Sequence, residues 1–243
     1  MKNQPVYSRV LLELSGEMMG SAKSAMNMER LESLAAQLGE IRSFGVQIGV
    51  VIGAGNIWRG AGKQNTMNRP KADMVGMLAT VVNALALQGV LENSGVPSCV
   101  LSAIEFEPAV EVEHVEPYVG KQALNHIQKG EIVIFGGGTG NPYFTTDTAA
   151  ALRALQIEAD VLLKATKVDG VYSADPVVDS SAKKYDKLSL GKALQMGLRV
   201  MDASAFSLCE DNNLPVVVFA LDPEGNIKKV VFGENIGTIL TPS

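Results

Sequence analysis

The chain has 243 residues, 47% of them hydrophobic, which is enough for one α/β domain with a sizeable core. Its formal net charge of -5 gives no basic field to attract a nucleic acid, so any bound phosphate must be held locally. Cys99 and Cys209 are far apart in sequence and form no CxxC motif or Cys/His cluster. This spacing argues against a disulfide framework and against a structural zinc site.

The sequence predicts neither a leader nor a membrane span. Glu13 interrupts the only apolar run near the N terminus, so no signal-peptide core forms. No stretch reaches the roughly 18 uninterrupted apolar residues that a spanning helix needs. We therefore expect a cytoplasmic protein with no membrane partner.

Apolar periodicity predicts alternating strands and helices along the chain. The predicted strands cover residues 9–14, 46–52, 97–103, 131–136, 159–166, 215–220 and 237–241. The predicted helices cover residues 28–41, with Asn27 as N-cap, and 74–91, 117–130, 147–158, 189–197 and 203–213. Residues 105–116 are predicted to be a solvated excursion. This alternation predicts an α/β fold with a mainly parallel sheet covered by helices on both faces.

The predicted helix at residues 74–91 is apolar almost all the way round and polar only at Thr80, Asn83 and Gln88. Such a helix is buried on every side, either in a deep core or across a subunit contact. The subunit contact is favoured because a layered fold of this size rarely engulfs a whole helix.

Three glycine-containing turns follow buried strands, at residues 15–16, 53–55 and 136–138. In a parallel sheet they lie at the carboxyl edge, where ligands bind. Successive backbone N-H groups and helix N-termini can hold a phosphate there without net basic composition. A single glycine turn is equally well explained as a tight connection between a strand and a helix, but three such turns together favour a ligand-binding site. Neither GxxxxGK[ST] nor GxGxxG is present, which weakens a dinucleotide oxidoreductase as an alternative.

Arg59 lies four residues after Gly55, in GAGNIWRGAG. We interpret it as a clamp for the phosphate that the glycine turn holds, in preference to an ordinary surface arginine.

The segment GGGTGNPYFTTD, residues 136–147, combines bare backbone with aromatic and hydroxyl side chains. Tyr143 and Phe144 provide aromatic surfaces against which a planar base can pack. Asn141 can form hydrogen bonds with the edge of the base, and the following threonines provide hydroxyl groups. Asp147 begins the next helix. It is either a plain N-cap or a carboxylate that orients a cation or polarises an acceptor oxygen.

These motifs resemble the bacterial uridylate kinases of the amino acid kinase superfamily, over residues 10–241. The resemblance is carried by LSGE (14–17), VVIGAGNIWRGAG (50–62), a near match to MGMLATVVNALA (75–86), TGNPYFTTD (139–147) and EADVLLKATKVDGVYSADP (158–176). It implies a single three-layer αβα domain that transfers a phosphoryl group from ATP, with magnesium, to UMP in pyrimidine biosynthesis. UMP would occupy approximately residues 1–150 and ATP residues 151–243.

The resemblance also implies individual site residues. Those expected to contact UMP are Ala54, Asp73 (on the ribose hydroxyls), Thr139, Gly140, Asn141, Pro142, Tyr143, Phe144, Thr145 and Thr146. Those expected to contact ATP are Ser15, Gly16, Gly55, Arg59, Thr166, Tyr172 and Asp175. The catalytic positions are Arg59, Asp147 and position 13. Asp202, in RVMDASAF, lies in a further matching segment. A homohexamer packed through the apolar helix and inhibited by UTP is implied, with no metal site of the protein's own.

The chain departs from the family pattern at three places. Glu13 stands where the family has a lysine that neutralises the phosphoryl group in transit, and loss of such a cation slows transfer strongly. The alternative function is therefore a nucleotide-binding homo-oligomer with impaired turnover. Ala54 replaces a family glycine, and residues 20–28 lack the family's glycine-phenylalanine-glycine stretch, which argues against activation by GTP.

Overall fold

The computed structural model describes residues 4–21, 24–58, 67–106, 115–176, 178–179, 181–198 and 200–243. Arg59 lies outside the described residues, so its predicted role as a phosphate clamp stays a prediction.

The strands and helices of the described residues follow the predicted alternation. The strands are β1 (Arg9–Leu14), β2 (Gln47–Ile52), β3 (Ser98–Ser102), β4 (Val115–Pro117), β5 (Ile132–Gly136), β6 (Val161–Thr166), β7 (Val171–Tyr172), β8 (Lys184–Tyr185), β9 (Lys187–Ser189), β10 (Val216–Ala220) and β11 (Thr238–Thr241). The helices are α1 (Met28–Ser43), α2 (Arg69–Asn93), α3 (Gly120–Gln128), α4 (Thr146–Gln156), α5 (Leu190–Gln195), α6 (Ala203–Asp211) and α7 (Asn226–Val231).

Nine of the described strands form one sheet in the order β4-β3-β5-β2-β1-β6-β10-β11-β9. Neighbouring strands are parallel except β10 and β11. The prediction of a mainly parallel sheet is confirmed. The excursion predicted for residues 105–116 is wrong at its end, because Val115 and Glu116 belong to β4, which pairs with β3. Residues 107–114 lie outside the described part of the chain.

Helices cover both faces of the sheet, which gives the predicted three layers. One buried cluster joins the sheet to α1, α2 and α7 through residues such as Leu34, Leu87 and Val230. The other joins it to α3, α4, α5 and α6. Side chains alternate between faces along a strand, so Leu11 of β1 faces the second cluster. Glu13, two residues further on, faces the same side and therefore α4.

Helix α2 is buried on one side only within the single chain. Leu87 and Leu91 are fully buried, whereas Met74, Leu78 and Val82 are 42%, 41% and 50% exposed. By length and composition α2 could cross a membrane, but 56% of its most apolar stretch is buried against the rest of the chain. Burial of this kind is typical of a core helix. The helix also begins five residues earlier than predicted, because its polar first turn, with a proline near the start, carries no apolar period.

Candidate active site

The turns after β1 and β2 are in backbone contact at the carboxyl edge of the sheet. A Cβ atom on Gly16 would lie 2.3 Å from the carbonyl oxygen of Gly53 and 2.6 Å from the nitrogen of Gly55. Only glycine fits such an approach. Asn83 of α2 donates a hydrogen bond of 2.8 Å to that same carbonyl oxygen. The two turns and α2 are thereby fixed to one another.

The third turn, after β5, is also anchored to α2. The backbone N-H of Gly137 donates to the hydroxyl of Thr80 over 2.8 Å. Gly137 has φ of +76°, which favours glycine, and a Cβ atom there would lie 2.9 Å from the nitrogen of Ile104. The structure thus brings the three predicted glycine turns to one edge.

A cavity of about 530 Å³ opens beside these turns. Its lining includes these residues of the predicted UMP site: Ala54, Asp73, Thr139, Asn141, Phe144, Thr145 and Thr146. Gly55, predicted to contact ATP, also lines it. Gly140, Pro142 and Tyr143 belong to the same loop but are outside this lining. We refer to this cavity of about 530 Å³ as the first cavity.

Arg69 lines the first cavity and was missed by the sequence analysis. Its Nε donates to both carboxylate oxygens of Asp73, over 2.8 and 2.7 Å, and its guanidinium lies 5.6 Å from the ring centre of Tyr143. The N-H of Tyr143 donates to the same carboxylate over 2.7 Å. Asp73 therefore ties the start of α2 to the loop after β5. The available signal was the four-residue spacing of Arg69 and Asp73 on one helix.

A buried ionic cluster of Glu13, Lys164 and Asp147 lies behind the first cavity. The Nζ of Lys164 is 2.8 Å from Oε1 of Glu13 and 2.6 Å from Oδ1 of Asp147. Glu13 on β1 and Lys164 on β6 are register partners across parallel strands. Glu13 is only 4% exposed, and its Oε2 has no hydrogen-bond partner among the described residues.

Burial dominates the electrostatics of Glu13. Burial raises the pKa of that carboxyl, and the Asp147 carboxylate adds to the rise. The Lys164 ammonium offsets only part of it, so the pKa is about 8. Burial alone would lower the pKa of Lys164, but the two carboxylates outweigh burial and raise it. Lys164 therefore stays charged, and its charge is shared between two acidic neighbours.

Of the two interpretations of Asp147, the N-cap is wrong. The N-cap of α4 is Thr145, whose side chain accepts a hydrogen bond from the N-H of Thr148. Asp147 is the second residue of the helix, and its side chain turns to Lys164 instead of to a backbone N-H of its own helix. Its Oδ2 accepts from the backbone N-H of Asp202 over 3.3 Å.

Asp202 connects the starts of two helices. It is the N-cap of α6, accepting from the N-H of Ala205 over 3.0 Å, and it also accepts from the hydroxyls of Thr145 and Thr148. Burial raises the pKa of Asp202, but the hydrogen bonds outweigh burial, so the pKa lies below its usual range. Asp202 is a positioning residue, because it fixes the turn that presents Asp147.

A second cavity has a volume of about 590 Å³. Thr166, Tyr172 and Asp175 line it, as predicted for an ATP site, together with apolar side chains such as Val168 and Met196. A third, open cavity of about 390 Å³ contains Asp147 and shares Gly197, Leu198 and Val200 with the second. Asp147 directly follows two threonines that line the first cavity, and the cavity that Asp147 itself lines adjoins the second. The predicted ATP contacts Ser15 and Gly16 line neither of the two large cavities.

The chain matches the model of the amino acid kinase family over residues 8–220. This chain belongs to that family. Its structure is similar to a UMP kinase from Bacillus anthracis, at 37% identity and a TM-score of 0.91 over 97% of this chain and 96% of that one. It is also similar to a UMP kinase from Ureaplasma parvum, at 36% identity and a TM-score of 0.89 over 99% of this chain and 100% of that one. A uridylate kinase from Archaeoglobus fulgidus has 30% identity and a TM-score of 0.73 over 99% of this chain and 100% of that one.

Within the amino acid kinase family, two cavities that flank one carboxylate suit direct transfer between two bound ligands. Such transfer needs positioning and charge stabilisation more than covalent chemistry. The family assignment thus favours phosphoryl transfer over the hydride transfer of a dinucleotide oxidoreductase, and it confirms the resemblance inferred from the motifs.

We predict that Asp202→Ala lowers the free energy of unfolding by about 1–2 kcal/mol, because it removes the N-cap of α6. Denaturant titration followed by circular dichroism measures this. Asp211→Ala is the matched control: it removes the same charge from an exposed position at the other end of the same helix. It should change stability by less than about 0.5 kcal/mol. Equal losses in the two variants would refute the capping role.

We also predict that Gly16→Ala lowers the free energy of unfolding by about 1–3 kcal/mol, because its methyl group would overlap the backbone of the turn after β2. The control is Gly120→Ala, where a methyl group would meet only the Tyr118 hydroxyl at 3.5 Å. Unfolding curves of the two variants should differ in midpoint, and a Gly16→Ala curve identical to that of the unmodified chain contradicts the predicted contact.

Proposed function

We propose that this chain is a UMP kinase that transfers the γ-phosphoryl group of ATP to UMP, giving UDP and ADP, in pyrimidine nucleotide biosynthesis. The observation that carries the proposal is that Asp147, which directly follows two threonines of the first cavity's lining, also lines the third cavity, whose wall is shared with the second. The linings of the first and second cavities hold most of the predicted UMP residues and four of the predicted ATP residues. The similarity to UMP kinases from two bacteria supports the choice of acceptor.

UMP is assigned to the first cavity because its lining has the parts that a nucleoside monophosphate needs. Phe144, 50% exposed, offers a flat face for a pyrimidine. Asn141 and Thr139 offer hydrogen-bonding groups for the base and sugar. Arg69 and the turn at Ala54 and Gly55 offer a cation and backbone groups for the phosphate.

ATP is assigned to the second cavity, with its phosphates directed toward Asp147. Apolar side chains there suit a purine, and the cavity continues to Asp147 through its shared wall. Asp147 and the unpartnered Oε2 of Glu13 provide carboxylate oxygens, which together with phosphate oxygens are the donors that magnesium prefers. Asp147 would hold the magnesium that accompanies ATP, and that ion would neutralise phosphate charge.

A second candidate function, nucleotide binding with impaired turnover, is favoured by one observation. The ammonium of Lys164 is already engaged by Asp147 and by the carboxyl of Glu13, so it is less available to stabilise a phosphoryl group in transit. A family lysine at position 13 would place a second cation at this point. The same residue that distinguishes this chain from its relatives therefore separates the two candidates.

The proposed homo-oligomer, a hexamer, is supported by the exposed side of α2. Met74, Leu78 and Val82 are spaced four residues apart, so they form one apolar stripe along the helix. A contact between copies of the chain through this stripe would complete the burial that the sequence predicts for α2. The proposals of a cytoplasmic location and of UTP inhibition rest on the resemblance to bacterial uridylate kinases.

We predict that the chain forms ADP from ATP and magnesium when UMP is added, and that Glu13→Lys raises kcat by about tenfold or more because it restores a cation. Glu13→Gln is the control that removes the ionisable carboxyl without adding a cation, and it should give a smaller gain. CMP is assayed in place of UMP as an alternative acceptor of the phosphoryl group. If neither the chain nor Glu13→Lys turns over UMP, the kinase proposal is wrong. If only Glu13→Lys does, the second candidate is correct.

We predict that Val82→Glu dissociates the oligomer, because it places a charge in the proposed contact. Sedimentation velocity should show a smaller species than for the unmodified chain, while circular dichroism stays unchanged. Met28→Glu is the matched control, since Met28 is 53% exposed on α1, away from the stripe. An unmodified chain that sediments as a monomer, or an unaltered oligomer in Val82→Glu, rules out this contact.

A further inference from the structure

A cluster of three side chains with metal-binding chemistry lies at the opposite edge of the sheet from the candidate active site. It consists of Cys99 near the start of β3, His126 in the last turn of α3, and Glu131 just before β5. One donor atom from each lies within 4.8 Å of the others. The three residues come from separate parts of the chain, which is why the sequence analysis found no Cys/His cluster. No nucleotide-site residue belongs to the cluster.

The histidine of this cluster lies between two carboxylates. Its Nδ1 is 2.7 Å from Oε2 of Glu131, and its Nε2 is 3.5 Å from Oε2 of Glu116 on β4. Within the described ranges, neither glutamate forms an ion pair with a lysine or an arginine. The carboxylates thus concentrate negative charge beside a buried thiol, without a fixed cation to balance it.

The thiol of Cys99 is strongly affected by this environment. Burial, together with the charges of Glu131 and Glu116, raises the pKa of the Cys99 thiol to about 12. Cys99 is 7% exposed, whereas the side chains of His126 and Glu131 are 17% and 27% exposed. An ion can therefore reach the cluster from the histidine and glutamate side, and a bound dication would replace the thiol proton.

We propose that Cys99, His126 and Glu131 form a binding site for a divalent transition metal ion, with zinc as the expected occupant. Thiolate, imidazole and carboxylate are the three ligand types that zinc combines in proteins, whereas a thiolate is a poor ligand for calcium or magnesium. The ion takes the place of the hydrogen bond between Nδ1 of His126 and Oε2 of Glu131. Glu116, beside the other ring nitrogen, orients the imidazole, as carboxylates commonly do behind metal-bound histidines.

The site would have a structural role at the edge of the sheet. Its ligands join the start of β3, the end of α3 and the start of β5, and Glu116 adds the edge strand β4. An ion that binds these residues only in the folded chain stabilises the fold by mass action. We therefore expect zinc to raise the melting temperature without any nucleotide present.

Cobalt binding tests the proposal through a signal that requires a thiolate ligand. The full chain is treated with a chelator, freed of it, and titrated with Co²⁺ in the absence of nucleotide. We expect a thiolate-to-cobalt charge-transfer band that saturates at one ion per chain and disappears when zinc is added. Cys99→Ser should lose the band. Cys209→Ser is the matched control, because Cys209 is the other buried free cysteine and is not part of the cluster. It should keep the band.

A second variant covers the case in which Cys99→Ser does not fold. His126→Gln changes a partly exposed side chain and should weaken cobalt binding about tenfold or more. Zinc should raise the melting temperature of the unmodified chain and of Cys209→Ser, but not that of His126→Gln. Absence of the band in the unmodified chain overturns the proposal, as does a band of full affinity in Cys99→Ser or His126→Gln. Neither measurement involves UMP or ATP, so the result is independent of the proposed kinase activity.

Discussion

The close approach of the first two strand ends determines where ligands can lie. Because Gly16 leaves no room for a side chain, the turn after β1 contacts the turn after β2 through backbone atoms. Asn83 and Thr80 of α2 then hold the turns after β2 and β5 by hydrogen bonds. Backbone groups and a helix thereby form one rigid wall of the first cavity. A larger residue at position 16 would separate the elements on which the rest of the site is built.

Charge is the second constraint, because an acidic chain must hold anionic ligands. The described cations near the cavities are already engaged: Arg69 with Asp73, Lys164 with Glu13 and Asp147, and Lys167 with Glu17. A phosphate that binds there competes with a carboxylate for each of these cations. Phosphate binding therefore requires that these ion pairs open, or that uncharged groups such as backbone N-H hold part of the anion.

The sequence predicted what depends on local pattern. Long aliphatic runs identified the seven main strands, and helical periodicity identified six helices. Strands of two or three residues, such as β7 and β8, are too short to show a period, and the six-residue α7 was not predicted. The sequence left two roles open for Asp147, because Thr145 and Asp147 both suit an N-cap. Only the packing against β6 shows that Asp147 faces a lysine.

Contacts between distant segments lay beyond the sequence reasoning. The pairing of Glu13 with Lys164 follows from the register of β1 against β6, which no spacing in the sequence reveals. The meeting of Cys99 with His126 follows from the packing of α3 on the second face of the sheet. Both cases join residues that look ordinary in isolation. Residue chemistry was readable in the sequence, but which residues share a site depended on the tertiary fold.

Position 13 shows how one substitution acts through this fixed geometry. The alternation of side chains along β1 directs any residue at this position toward α4 and β6, so it must face Asp147 and Lys164. A lysine there would give Asp147 two cationic neighbours, whereas Glu13 gives Lys164 a second carboxyl neighbour. Position 13 lies outside the linings of the two large cavities. A substitution there therefore acts first on the charge around Asp147 and Lys164, and only indirectly on those linings.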